Sequence, residues 1–261
     1  MNKRLVLLIS LFAFIVLVVI LSSAVFSLKQ VEVNFLSTTS NLSNEEADII
    51  SSGNFDYGSS VFFLDKDLYT QNLEEANPYL KVASLEVIFP NRLIIHAIER
   101  SEVYAFKLSD NTYAITDEQL KVLSIKPVFV NTNENAILVN LTAQEIDASS
   151  AEIGKVLPTT QNTIDSLNNF MNYSKEWESN LLFLKGNIEE VTLYYEQVTD
   201  LSIKMRQGVN IVISNYSESL SDKLQYAYSV YSSDIAYRTK GIILVYKEEA
   251  GNIVAVYDDG E

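Results

Sequence analysis

Histidine occurs once in this chain, at position 96, and cysteine does not occur at all. One imidazole and no thiol exclude the common Ser-His-Asp triads, the Cys-His dyads and every multi-histidine metal site. No Walker A, GxGxxG or HExxH pattern is present either. What remains is carboxylate chemistry, and paired carboxylates such as Asp65 with Asp67, Glu74 with Glu75 and Asp258 with Asp259 could do acid/base work. The plainer reading is a solvated face or a helix start, because Asp and Glu number 34 against 19 Lys and Arg. His96 could sense pH, but with no second titrating partner in the pattern it reads as an ordinary residue on a sheet face. No catalytic, metal-binding or cofactor-binding residue is assigned, and no cofactor is expected.

The formal net charge of -15 repels phosphate backbones and anionic surfaces, which argues against nucleic-acid binding. A hydrophobic fraction of 48% with 20% charged residues is a globular composition. The absence of cysteine rules out a disulfide framework and leaves the redox compartment open. Sequons at Asn41, Asn140, Asn172 and Asn215 arise readily by chance in a chain rich in Asn and Ser. Tyrosines crowd the last quarter (Tyr226, Tyr228, Tyr231, Tyr237, Tyr246, Tyr257), and they fit either a partner surface or core packing.

The elements that carry these residues begin with an anchor. Residues 5–28 hold no charge, and a run of about 24 residues exceeds the roughly 20 that a helix needs to cross a bilayer. Lys3, Arg4 and the α-amino group precede it, so the positive-inside rule puts residues 1–4 in the cytoplasm and everything after Leu28 outside. The rival is a cleaved signal peptide with a small-residue site at Ser22-Ser23-Ala24. The run is longer than a signal core and continues through Val25, Phe26 and Leu28, which favours a retained anchor.

Beyond it, Val31, Val33 and Phe35 alternate as a half-buried strand. Ser43 and Glu46 have capping-box spacing for a helix with Ala47 and Ile50 inward. After Gly53 and Gly58, VFFL leads to a second helix capped by Asp65, with Leu68, Tyr69 and Leu73 inward, which stops at Asn77-Pro78. A hairpin follows: Ala83, Leu85, Val87 and Phe89 on one face, a Pro90-Asn91 turn, then Leu93, Ile95 and Ala97. Asn77-Pro78-Tyr79-Leu80, Phe89-Pro90-Asn91-Arg92-Leu93-Ile94-Ile95 and the closing Glu99-Arg100 resemble the POTRA domain of the FtsQ/DivIB cell-division proteins. The resemblance gives Pro78, Pro90, Glu99 and Arg100 structural roles. Ala97 and Ser101 depart from the family pattern, and the loop after Asn34 lacks the common glycine.

The second portion reads as strands at VYAFKL, NTYAIT and Val122 to Ile125, with extended segments at Lys126-Pro127-Val128-Phe129-Val130 and Ala136 to Leu141. A helix is predicted from Ile164 to Tyr173, with Leu167, Phe170, Met171 and Trp177 on its buried side. Four strands are then expected, at Leu181 to Leu184, Ile188 to Tyr195, Leu201 to Met205 and Val209 to Ile213. A helix through Leu220, Leu224, Ala227 and Val230 follows, then strands at Gly241 to Tyr246 and Asn252 to Tyr257 about a turn at Lys247 to Gly251. The expected class is α+β: a transmembrane helix (5–28), a POTRA-like βααββ domain (29–100), and a mixed α/β domain with a mainly antiparallel sheet (101–261) similar to the family's β domain. At the penultimate strand the family often has Asp-Leu-Arg before the tyrosine, where Ile243-Leu244-Val245 stands here, so only Tyr246 matches.

The resemblance implies a non-enzymatic division scaffold, enriched at the septum. Its last two strands would pair with bitopic partners of the FtsB/DivIC and FtsL type and, through them, regulate the septal peptidoglycan synthase. The expected contact residues are Ile242, Ile243, Leu244, Val245, Tyr246, Ile253, Val254, Ala255, Val256 and Tyr257, with the sheet edge as the physical means of capture. The alternative is a membrane-anchored enzyme or ligand receptor acting at the cell wall.

Overall fold

The structure is a computed structural model that describes residues 11–12, 14, 16, 25–37, 46–132, 136–142, 145–194, 200–233 and 239–259. The expected cytoplasmic tail, most of the expected membrane span, Ala24, Asn41, Ser43, Tyr195 and Tyr237 lie outside these residues. Leu11, Phe12, Phe14 and Val16 are helical and exposed. Among the described residues no helix is long and apolar enough to cross a membrane. The chain divides into two compact units, residues 1–100 and 101–261.

The first unit runs β1 (Gln30–Ser37), α1 (Glu46–Ser52), a 3-10 turn (Val61–Phe63), α2 (Lys66–Ala76), β2 (Leu80–Ile88) and β3 (Arg92–Glu99). Its sheet has the order β1-β3-β2, with β1 parallel and β2 antiparallel to β3. Leu93, Ile95 and Ala97 are fully buried beneath Ile49, Tyr69 and Leu73 of the helices. Each such aliphatic contributes roughly 1.5–3 kcal/mol by leaving water. Asp65 accepts the Leu68 N–H at 3.0 Å and starts α2. Asn77 ends it, since its amide side chain donates to Leu73 O at 2.8 Å and Pro78 cannot continue the turn.

Four expected inward positions are corrected. Leu68 is 49% exposed, because the Asp65 cap sets a phase in which Tyr69 and Leu73 face the sheet. In α1 the buried residue is Ile49 rather than Ala47. In β2 the pairing skips Ala83, since Val82 faces Ala97 and Ser84 faces His96. This bulge shifts the alternation, so Val82, Leu85 and Val87 pack inward while Ala83 and Phe89 are exposed. The Glu46 carboxylate accepts the Val33 N–H at 3.0 Å and so ties α1 to β1.

The second unit contains β4 (Tyr104–Lys107), β5 (Tyr113–Thr116), β6 (Val122–Lys126), β7 (Ile137–Leu141), α3 (Gln161–Trp177) and α4 (Leu181–Asn187). It continues with β8 (Ile188–Leu193), β9 (Leu201–Met205), β10 (Asn210–Ile213), α5 (Leu220–Ser232), β11 (Ile242–Lys247) and β12 (Ile253–Asp258). The strands form one nine-stranded sheet in the order β12-β11-β10-β9-β8-β7-β4-β5-β6. Most neighbours are antiparallel, and β4 with β7, β7 with β8 and β10 with β11 are parallel. Leu167, Phe170 and Met171 of α3 and Leu224, Ala227 and Tyr228 of α5 bury against it.

One expected strand is absent. Leu181 to Leu184 opens helix α4, because Asn180 accepts the Leu182 N–H at 2.9 Å. The helix turns Leu184 inward and leaves Leu182 and Phe183 exposed. A short apolar run fits a strand or a helix equally well, and here the cap decides. From Lys126 to Val130 only Lys126 belongs to a strand; Val128 and Val130 are exposed, and Phe129 packs on Tyr113 at 5.7 Å.

Candidate functional site

Three of the six carboxylates named as candidates, Asp65, Glu74 and Glu75, are held in structural roles. Glu74 binds the Arg100 guanidinium at 2.8 Å and the Val82 N–H at 2.9 Å, and Glu75 accepts from Gln71. Asp65 is a helix cap. Arg100 also donates to Leu80 O at 3.1 Å, so the closing Glu-Arg fastens the end of α2 to the start of β2. His96 lies half-buried on the outer face of β3, with Nε2 2.9 Å from a Glu86 oxygen and Nδ1 3.4 Å from the Asn34 amide. Among the described residues no group of His, Cys, Asp or Glu side chains could hold a metal ion. Asn140 hydrogen-bonds Glu190, and Asn215 accepts from Ser217.

The tyrosines divide. Tyr228 and Tyr231 are core residues: Tyr228 stacks on Trp177 at 4.2 Å and its hydroxyl bonds Ser174 at 2.7 Å. Burial pushes the Tyr228 and Tyr231 phenols up, and Tyr104 likewise, with the Glu118 charge adding to it. Tyr226 and Tyr246 are exposed. A groove of about 400 Å³ between α3 and α5 is lined by Tyr173, Trp177 and Tyr228 with Glu176 and Gln225.

The open end of the large sheet is where exposed apolar surface and unpaired backbone coincide. β11 and β12 are joined by a turn in which Gly251 N–H donates to Glu248 O at 2.8 Å and Gly251 adopts φ +89, which a side chain would strain. Glu248 N–H donates to Asn252 O at 2.9 Å across this turn. Bonded and non-bonded pairs alternate along an antiparallel ladder. The bonded pairs are therefore Tyr246 with Val254, Leu244 with Val256 and Ile242 with Asp258. The other side of β11 agrees, since Asn210 N–H donates to Gly241 O and Ser214 N–H to Val245 O.

This geometry corrects the expectation that both final strands are edges. β11 is paired on both sides, by β10 and β12, and Ile243 and Val245 are fully buried. Of the two, only β12 ends the sheet, and the backbone groups of Ile253 and Ala255 point away from β11. The side chains of Ile253, Ala255 and Tyr257 pack toward the helices. Tyr257 is itself structural: its hydroxyl donates to Lys240 O at 2.8 Å and its ring covers Gly241. On the opposite face Ile242, Leu244, Tyr246 and Val256 are exposed with Val254 beside them, an apolar strip two strands wide. Alternation in the sequence marked this strip, but nothing local in the sequence distinguishes the paired strand from the free one.

The first unit has the βααββ order of a POTRA domain, and a large mixed sheet follows it. Residues 26–100 match the family described as POTRA domain, FtsQ-type. The chain is 23% identical to a Clostridium acetobutylicum protein named Cell division protein DivIB, over 74% of this chain and 77% of that protein. It is 25% identical to the Clostridium tetani protein of the same name, over 83% of this chain and 76% of that protein. Residues 26–100 thus carry an FtsQ-type POTRA domain, and over most of its length the chain is similar to proteins named Cell division protein DivIB.

Proposed function

We propose that the protein is a non-enzymatic division scaffold: a single-pass membrane protein with residues 1–4 cytoplasmic, 5–28 spanning, and a POTRA-like domain (29–100) and β domain (101–261) outside. It captures an extended segment of an FtsB/DivIC-type partner on β12, gathers an FtsL-type protein with it, and so regulates the septal peptidoglycan synthase. The observation that carries this reading is β12 itself. It is a six-residue strand that stands last in the order of the nine-stranded sheet, paired to β11 on one side. Such an edge adds a foreign strand through main-chain bonds, while the apolar strip beside it supplies pockets for alternate side chains. The charge-free run of residues 5–28 behind Lys3 and Arg4 supports the anchor.

The test is co-purification of the detergent-solubilised full chain with a DivIC-like partner. Capture is expected from the unaltered chain and lost when the β12 edge is blocked. Equal capture by a chain with a blocked edge overturns the strand-addition mechanism, and a uniform rather than mid-cell distribution in dividing cells overturns the division role.

A further inference from the structure

The aromatic residues of the first unit are distributed in a way that its own fold does not require. Phe63 is 88% exposed, and Phe62 and Phe89 are 58% and 59% exposed. Water-facing phenylalanines this close together are costly unless something apolar covers them. Phe62 and Phe89 cluster about Phe26, whose ring lies 5.3 Å from Phe62 and 6.2 Å from Phe89, with Phe62 and Phe89 5.4 Å apart, and Phe63 follows Phe62 on the same 3-10 turn. The backbone fixes this meeting point. Val61 N–H donates to Phe26 O at 2.9 Å, Leu28 N–H to Ser59 O at 2.8 Å, and Lys29 N–H to Asn91 O at 2.9 Å. The 3-10 turn carrying Phe62 and Phe63 and the β2–β3 turn carrying Phe89 are both tied to residues 26–29.

Residues 26–29 are also where the apolar run ends. With Phe26 already bonded into the first unit, residues 5–25 remain to cross the bilayer, and about 21 residues rise roughly 31 Å as a helix, against a hydrocarbon core of roughly 30 Å. At most about four residues are left over for a linker. A chain anchored in this way must hold Phe26 at the lipid surface, and the other three phenylalanines with it. Aromatic side chains are favoured at that depth, where one side is apolar and the other wet.

We infer that Phe26, Phe62, Phe63 and Phe89 form a membrane seat that rests the first unit directly on the outer surface of the bilayer in which the chain is anchored. The inference rests on the proposed membrane anchor. The seat fixes the height of the unit, so that the sheet begins at the bilayer rather than swinging on a tether.

The chain has no cysteine, so a single nitroxide label can be placed without removing any native residue. Full-length Phe63→Cys and Ala83→Cys proteins are labelled and reconstituted into phosphatidylethanolamine/phosphatidylglycerol vesicles. Ala83 is exposed on the same sheet, and six residues of strand place it about 20 Å from Phe89. The expected result is that the label at position 63 is reached by oxygen and shielded several-fold from a water-soluble nickel chelate, with the reverse at position 83. Equal nickel access at both positions, in vesicles that retain the chain through an alkaline wash, overturns the seat while leaving the anchor standing. Release by the alkaline wash overturns both. A dipolar-broadened spectrum at position 63 assigns the patch to a second copy of the chain and also overturns the seat.

Discussion

Replacing Ala255 by proline is the sharpest perturbation of the β12 edge. Its N–H points to the open side of the sheet, so the substitution removes no bond of the internal ladder, and proline is tolerated at such edge positions. The folding cost is expected to stay below about 1 kcal/mol. For an added strand the consequence is larger. One donor is lost and the partner carbonyl opposite it is left unpaired, which costs about 1–3 kcal/mol. A central value of about 2 kcal/mol corresponds to roughly 30-fold weaker binding. Val245→Pro is the contrasting variant: Val245 is fully buried in a doubly paired strand, and proline there costs about 3 kcal/mol or more of folding. The assay is titration of the DivIC-like partner by calorimetry, with circular dichroism of each variant. Unchanged affinity in a folded Ala255→Pro protein refutes the reasoning, as does unfolding of that variant with Val245→Pro unharmed.

Three further outcomes are expected. The Tyr104 and Tyr228 phenols are raised in the folded state, so the folded chain holds protons that the unfolded chain releases above pH about 10. Their stabilisation is complete below that pH and is lost progressively as pH rises above it, measurable by urea titration and smaller in a Tyr104→Phe/Tyr228→Phe variant. Gly208→Ala combines φ +98 with a Cβ only 2.1 Å from Thr239 O, and is expected to destabilise the second unit by about 2–4 kcal/mol in thermal unfolding. Arg100→Met leaves Glu74 and Leu80 O without their guanidinium partner and should cost about 2–3 kcal/mol of the stability of the first unit, where a surface pair would cost almost nothing.

The first unit was readable because its signals are local and agree. Asp65 and Asn77-Pro78 bracket α2, and Leu93, Ile95 and Ala97 alternate without interruption. The Ala83 bulge was not readable, because a bulge is set by the partner strand and leaves no mark on the strand's own apolar pattern. Leu181 to Leu184 misled for a related reason: four apolar residues carry no period, and the deciding contact is the Asn180 side chain on the Leu182 N–H. The site was legible as a pair of strands but not as an edge. Sequence order placed β11 and β12 last in the chain, while β10 reaches β11 through α5 as a parallel neighbour and covers its other side. Tyr257 illustrates the same limit, since its carbonyl partner at Lys240 and its packing over Gly241 depend on contacts 17 and 16 residues away.

Residue-resolved amide hydrogen exchange across β12 addresses strand capture most directly. In the free protein the amides of Val254 and Val256, bonded to β11, should exchange slowly, and those of Ile253 and Ala255 quickly. Saturation with a DivIC-like partner is predicted to slow Ile253 and Ala255 and to leave the alternate amides as they were. Binding of the partner with those two amides still exchanging quickly contradicts the account.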